Sequence, residues 1–136
     1  MTILVIDGQG GNIGRQLVKN IAERFPGHEL LAVGTNSIAT ENMQKGGASR
    51  IATGENAVIV ASRKADVIVG PIGIVIADAL LGEVTAAMAT AVGSSSAARI
   101  LIPVNKCDTF IAGVKDGSTS ALLADAMEKL AGLLGD

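Results

Sequence analysis

The sequence predicts an α/β fold with a doubly wound, mostly parallel sheet, and three observations lead to it. Apolar runs of strand length alternate with helical patterns along the chain, which is typical of βαβ units. Hydrophobic residues make up 49% of the sequence, but only Phe25 and Phe110 are aromatic. Ile, Leu, Val and Ala must therefore fill the core, as they do around sheets that are buried on both faces. A glycine-rich turn follows the first strand directly.

The predicted elements divide into strands and helices. Strands are expected at Ile3–Ile6, Leu30–Val33, Arg50–Ala52, Val67–Val69, Arg99–Val104 and Phe110–Val114. Helices are expected at Arg15–Phe25, Ser37–Lys45, Glu55–Arg63, Gly73–Val92 and Thr119–Leu133, with Gly82 and Glu83 dividing the fourth into two. The last two strands are too close in sequence for a parallel crossover, so Phe110–Val114 is expected to pair antiparallel at the edge of a 3-2-1-4-5 sheet. No repeat or linker divides residues 1–136, which are predicted to form a single domain.

Charge and composition argue against several classes of partner. A net charge of -2 without a basic run, together with so few aromatic rings, argues against nucleic-acid binding. No apolar tract reaches the ~20 residues that a membrane span needs, and the chain begins with a strand instead of a secretory signal. Cys107 is the sole cysteine, which fits a cytoplasmic protein with neither a disulfide nor a cysteine metal site.

The turn Gly8-Gln9-Gly10-Gly11-Asn12-Ile13-Gly14 is the clearest candidate for a binding site. A helix that starts after a side-chain-free turn presents unpaired N–H groups and a partial positive charge to a phosphate. Gly8 is expected to form the turn, Gly11 to admit the anion, and Gly14 to bring the helix close to the sheet. Replacing Gly11 with Val is then expected to abolish binding while the fold survives. Alternatively, these glycines serve only close packing.

The end of the second strand bears on the choice of nucleotide. Thr35, Asn36 and Ser37 stand where NAD-binding proteins place an acid on the ribose, and no acid is present. Their hydroxyl and amide groups suit a 2′-phosphate, which favours NADP over NAD, although Ser37 also suits the N-cap of the next helix. Asp7 precedes the turn, and capping the turn amides is expected of it in preference to contact with the ligand.

The other candidates follow later strands. Gly70, Pro71 and Ile72 are expected to face the glycine turn across the crevice between strands 1 and 4, with Thr53 on a neighbouring wall. Three residues are weak catalytic candidates, namely Asp78 in an apolar tract and Lys106 beside Cys107 after a strand. An exposed Asp78 and an inert thiol are the alternatives. With one His and one Cys, no metal site is predicted.

The Gly8–Gly14 turn, with its G-x-x-G-x-x-G spacing, resembles that of extended and atypical short-chain reductases over about the first 35 residues. The whole chain resembles a family of short bacterial proteins of uncharacterised function with a Rossmann-like fold, through this turn and segments such as Gly70–Gly73 and Pro103–Cys107. In size it is also similar to the Rossmann regulatory domains of potassium transport systems. The reductases use a Tyr with a Lys four residues later, and this chain contains no Tyr.

The sequence therefore favours a nucleotide-binding protein, with NAD or NADP as its ligand, acting as a sensor or accessory subunit. The alternatives are a small oligomeric NAD(P)-dependent oxidoreductase that uses Cys107, Lys106 or Asp78, and a receiver-like or flavodoxin-like signalling module. A homo-oligomer is expected because Ile72–Leu81 and Ala86–Val92 are too apolar to leave one face in water.

Overall fold

The sheet has five strands, all parallel, and confirms the predicted fold class and strand order. The computed structural model describes residues 1–104, 108–115 and 117–136. The strands are β1 (Thr2–Asp7), β2 (Glu29–Gly34), β3 (Arg50–Thr53), β4 (Val67–Pro71) and β5 (Ala98–Ile102). Their order is β3-β2-β1-β4-β5, and every neighbouring pair is parallel. The carboxyl ends of β1 and β4 therefore lie side by side, at the place where the chain switches from one half of the sheet to the other.

Five α-helices connect or follow these strands. They are α1 (Asn12–Arg24), α2 (Ser37–Gly46), α3 (Glu55–Lys64), α4 (Ala86–Gly93) and α5 (Thr119–Leu134). Side-chain oxygens of Asn36, Thr85 and Ser118 accept hydrogen bonds from first-turn amides and so fix where α2, α4 and α5 begin. Within the described ranges, no helix is long and apolar enough to cross a membrane.

The central strands β1 and β4 are buried on both faces, which explains their continuous apolar sequences, whereas every residue of the edge strand β3 is exposed. Successive residues of a strand point to opposite faces. Ile3 and Val5 accordingly pack with α1, α2 and α5, whereas Leu4 and Ile6 pack with α3 and α4. These four β1 side chains are at most 1% exposed. Burial on both sides makes β1 the fixed centre from which the glycine turn leaves the sheet.

The predicted antiparallel edge strand is wrong. Residues 110–114 form turns, with a Val114 N–H bond to the Ile111 carbonyl and a left-handed backbone at Gly113. Phe110 is 90% exposed, and among the described residues this segment forms no strand paired with β5. A short connection permits an antiparallel strand but does not by itself impose one.

The predicted pair of helices in Gly73–Val92 is also only half correct. A 3₁₀ turn occupies Ile72–Val75, and α4 supplies the second helix, but turns fill the intervening residues 76–84. We call residues 76–84 the cover loop. Its ends are joined by a bond from the Asp78 N–H to the Val84 carbonyl at 2.7 Å.

The cover loop has an unusual backbone. Asp78, Leu80 and Leu81 adopt left-handed conformations, with φ of 66°, 57° and 57°, and Gly82 follows at 89°. Such a conformation is rare for residues with a side chain and costs of order 1–3 kcal/mol at each position. An apolar composition that suggested a helix therefore hides a tightly wound loop after β4.

Candidate ligand-binding site

The glycine turn joins β1 to α1, and Asp7 holds its two ends. The Asp7 carboxylate accepts the Gly8 N–H at 2.8 Å and the Gly14 N–H at 2.7 Å, and the residue is only 6% exposed. One side chain thus satisfies two buried amides that flank the turn. The capping role expected of Asp7 is the one the structure shows.

Burial raises the pKa of Asp7 above its usual value. The amides of Gly14 and Gly8 oppose this shift, and the negative charge of Glu83 adds to it. A raised folded-state pKa means that the protonated group contributes stability below the unfolded value of 3.8, and that this contribution is lost as the pH rises through the folded value. The Asp7 carboxylate is held in place because it accepts two backbone hydrogen bonds.

Gly11 contacts the next helix. Its φ is 73°, and a Cβ added there would lie 2.7 Å from the Ala39 Cα and 2.9 Å from the Ala39 carbonyl oxygen. A backbone cannot yield as the tip of a side chain does. The expectation that Gly11→Val leaves the fold intact is therefore wrong, because Gly11 lets α1 and α2 pack.

The other glycines of the turn differ in their surroundings. A Cβ on Gly8 would lie 2.5 Å from the Thr35 hydroxyl, and one on Gly14 would lie 2.6 Å from the sulfur of Met43. Gly10 is exposed, and its added Cβ would meet only the Asn12 amide nitrogen, at 4.0 Å. Gly10 is thus the position where a side chain would change the open side of the turn with least effect on packing.

Two amides at the start of α1 remain available. The first N–H groups of a helix have no acceptor within it. The Gly14 N–H is taken by Asp7, whereas those of Asn12 and Ile13 have no hydrogen-bond partner in the described part of the chain. These donors and the positive end of the α1 dipole form an environment suited to an anion.

A cavity of about 110 Å³ lies against these donors. Asp7, the turn residues from Gly8 to Ile13, Pro71 and Leu80 line it. Pro71 ends β4, so the cavity stands at the crevice between β1 and β4, where the strand order predicts a ligand. Ile13, Pro71 and Leu80 give it apolar walls. Of the residues that the structure describes, no Lys or Arg belongs to this lining.

Glu83 of the cover loop extends onto the same turn. Its Oε1 atom accepts the Gln9 N–H at 2.9 Å, the Thr35 hydroxyl at 2.7 Å and the Asn36 side-chain amide at 2.7 Å. Burial alone would raise the pKa of Glu83, but these three donors outweigh that effect and the pKa lies below its usual range. An ionised carboxylate therefore joins the loops that follow β1, β2 and β4.

The residues predicted at the end of β2 are engaged with this carboxylate. Thr35 and Asn36 contact Glu83, and Asn36 also caps α2 by accepting the Ala39 N–H. Ser37 is the first residue of α2 and not its cap. The hydroxyl and amide proposed for a 2′-phosphate are thus bound to an anion supplied by the protein itself.

Three further predicted residues lie outside the cavity lining. The Thr53 hydroxyl pairs with that of Thr40 at 2.7 Å. A Cβ on Gly70 would lie 2.4 Å from the Ile6 carbonyl oxygen, so this glycine serves the packing of β4 on β1. Ile72 lines a separate groove beside β5 and α5.

The catalytic candidates gain no support. Asp78 is exposed, in a left-handed turn and not in an apolar helix. An exposed carboxylate needs no buried partner. Lys106 and Cys107 lie outside the described residues.

Sequence reasoning missed Leu80 and Glu83 as site residues. The one signal for them was the Gly82-Glu83 pair, which interrupts an otherwise apolar tract after β4. That pair suggested a break between helices, and nothing in its spacing indicated that the loop folds back onto residues 8 and 9.

Comparisons with known proteins place the chain in a family and identify a similar fold. A family described as a domain of unknown function, DUF3842, has a sequence model that matches residues 2–134. The chain belongs to this family. A search of curated proteins finds no match. Neither finding bears on the similarity of the turn to that of short-chain reductases, which stays a prediction.

A solved structure is similar over 98% of this chain and 76% of its own length, with 17% identity and a TM-score of 0.50. It is a dodecameric FMN-dependent UbiX-like decarboxylase from Escherichia coli O157:H7. The likeness supports the Rossmann-like or flavodoxin-like α/β fold. It contradicts the expectation of NAD or NADP, since the similar protein depends on FMN. The engagement of Thr35 and Asn36 with Glu83 removes the groups on which the preference for NADP depended.

The double cap by Asp7 leads to a stability prediction. Asp7→Ala leaves the buried amides of Gly8 and Gly14 without an acceptor and is expected to lower the free energy of unfolding by about 2–4 kcal/mol at neutral pH. Asp125→Ala, which removes an exposed partner of Lys129, is the control and should cost about 0.5 kcal/mol or less. Urea denaturation measures the free energy of unfolding of both variants. Equal stabilities of the two variants would contradict the capping role.

The contrast between neighbouring glycines leads to a second prediction. Gly11→Ala combines a left-handed backbone with a collision against Ala39 and is expected to lose more than about 3 kcal/mol of stability. Gly10→Ala should stay within about 0.5 kcal/mol of the unsubstituted protein. Thermal and urea unfolding provide the comparison. A Gly11→Ala protein as stable as the Gly10→Ala protein would refute the packing role of Gly11.

Proposed function

We propose that this protein binds a small phosphate-bearing ligand of the flavin mononucleotide class at the glycine turn. One observation carries the proposal: the N–H groups of Asn12 and Ile13, without partners in the described chain, adjoin a cavity at the crevice between β1 and β4. Phosphate groups bind at helix N-termini through such amides. The FMN dependence of the structurally similar decarboxylase supports a flavin as the ligand to test first.

The residues present fit the two chemical parts of such a ligand. The amides of Asn12 and Ile13 would hold the phosphate, and the open side of Gly10 would leave room for its oxygens. Apolar surfaces of Ile13, Pro71 and Leu80 would receive the ring system. Among the described residues no Lys or Arg lines the cavity, so the attraction from this part of the chain would come from backbone dipoles. When bound, a flavin supplies an electron-accepting ring, and the proposal for this chain is one of binding, as a sensor or an accessory subunit.

A homo-oligomer is part of the proposal. The structurally similar decarboxylase is a dodecamer, and this chain exposes 98% of Leu81 beside the cavity. We expect this side chain to be covered in a contact between copies of the chain.

The binding proposal predicts a difference between FMN and riboflavin. FMN is expected to bind at least about tenfold more tightly, because riboflavin lacks the phosphate that the α1 amides would hold. Gly10→Val should remove most of this difference by filling the open side of the turn. Gly27→Val is the matched control, since Gly27 lies in a loop with no atom within 4 Å of an added Cβ. Quenching of flavin fluorescence gives the affinity of each of the three proteins for FMN and for riboflavin. Equal affinities for FMN and riboflavin would refute the assignment of the phosphate to the turn.

The oligomer is tested independently of any ligand. Sedimentation velocity at micromolar concentration is expected to give at least a dimer. Leu81→Ser should shift the distribution towards the monomer, whereas Ile38→Ser, at another exposed aliphatic residue, on α2, should not. A monomer for the unsubstituted protein would contradict this part of the proposal.

A further inference from the structure

We propose that the cover loop is an autoinhibitory latch, in which the Glu83 carboxylate closes the glycine turn and an incoming phosphate group displaces it. The inference rests on the proposed function and adds its regulation. Its basis is the place of Glu83 on the turn, the small size of the cavity and the conformation of residues 78–82.

Glu83 occupies the turn as an anion would. The carboxylate accepts the Gln9 N–H, a backbone donor at the rim of the cavity, together with donors from Thr35 and Asn36. Asn36 also donates to the Gln9 carbonyl at 3.0 Å. The backbone N–H and the backbone carbonyl of Gln9 therefore both take part in this cluster of hydrogen bonds. A phosphate and this carboxylate carry the same sign of charge beside the same turn, so binding of one disfavours the other.

The closed cavity is too small for the whole ligand. Its volume of about 110 Å³ compares with roughly 300–1,000 Å³ for sites that bind nucleotide-sized molecules. The side chain of Leu80 limits it, because the Leu80 Cδ1 atom would lie only 2.8 Å from a Cβ on Gly8. The ring therefore requires Leu80 to withdraw.

The loop is held in a conformation that its backbone does not favour. Asp78, Leu80 and Leu81 have left-handed φ values, which persist only where surrounding contacts impose them. Within the described residues, the hydrogen bonds that join the loop to residues 9, 35 and 36 all pass through Oε1 of Glu83. Ala79, Leu80 and Val84 also anchor the loop in the core. Displacing the carboxylate would remove the polar contacts of the loop with the turn, and the strained backbone of residues 78–82 would favour the rearrangement that moves Leu80.

A different role for Glu83 would have the opposite effect on affinity. A carboxylate that accepted a hydroxyl of the ligand would strengthen binding, and its removal would weaken the complex. A latch weakens binding, and its removal strengthens the complex. The sign of the change in affinity separates the two roles.

The test compares Glu83→Gln and Glu83→Ala with the unsubstituted protein. Glu55→Gln is the matched control, since Glu55 also accepts a hydroxyl at this edge of the sheet, from Thr85 at 2.7 Å, without touching the turn. Isothermal titration with inorganic phosphate and with FMN gives the affinities. Both Glu83 variants are expected to bind each probe about tenfold more tightly, and Glu55→Gln should stay within about twofold.

Amide hydrogen exchange reports on the loop itself. The Asp78 N–H, bonded to the Val84 carbonyl, should exchange faster when FMN is added to the unsubstituted protein, and should be fast without ligand in Glu83→Ala. If neither FMN nor the Glu83→Ala substitution changes the exchange rate of the Asp78 N–H, the latch is refuted. Inorganic phosphate alone is the smaller probe, and its tighter binding to the variants supports displacement of the carboxylate.

The outcomes separate this inference from the proposed function. If the unsubstituted protein binds FMN and the Glu83 variants bind it equally or more weakly, the latch is refuted and the binding site stands. If Glu83→Ala binds FMN and the unsubstituted protein does not, both proposals are supported. If no variant binds phosphate or FMN, the proposed function is refuted and the latch with it.

Discussion

The site depends on the buried carboxylate of Asp7 at the end of β1. By accepting the amides of Gly8 and Gly14, it fixes the distance between the last strand residue and the first turn of α1. The amides of Asn12 and Ile13 remain without a partner in the described chain because the first N–H groups of a helix have no acceptor within it, and Asp7 takes only that of Gly14. Burying this carboxylate is costly, as its raised pKa indicates, and the two amide bonds offset part of the cost. The shape of the turn is therefore set from inside the protein.

Glu83 acts at the outer side of the same turn. Asp7 joins parts of one connection, whereas Glu83 joins the connections that follow β1, β2 and β4 through a single oxygen atom. The two carboxylates lie close enough for Glu83 to raise the pKa of Asp7. Two negative groups beside a helix N-terminus make an unusual site for a phosphate. One of them is buried at the end of a central strand, and the other belongs to the cover loop.

Much of the fold was predictable because burial leaves a direct mark on sequence. Strands that are covered on both faces, such as Ile3–Ile6, appear as apolar runs, and the strand order follows from the βαβ connections. The position of the turn was also predictable, because its glycines directly follow the first strand in the sequence. The tract after β4 was wrongly predicted to consist of two helices, because an apolar sequence is compatible both with a helix and with a loop packed on the core. Residues 110–114 were wrongly predicted as a strand, because a short connection allows an antiparallel pairing without requiring it and the chain forms turns there.

A glycine-rich turn that follows a buried strand and begins a helix is evident from the sequence alone, since these features depend on residues next to one another. The position of Asp7 before the turn is evident in the same way. The role of each glycine, in contrast, depends on what the folded chain places beside it. Gly11 faces the backbone of Ala39, and Gly10 faces open space, although both are the same residue in the same motif. Only the tertiary structure brought Glu83 to Gln9, a contact across 74 positions, because it depends on a loop whose left-handed backbone no local propensity predicts.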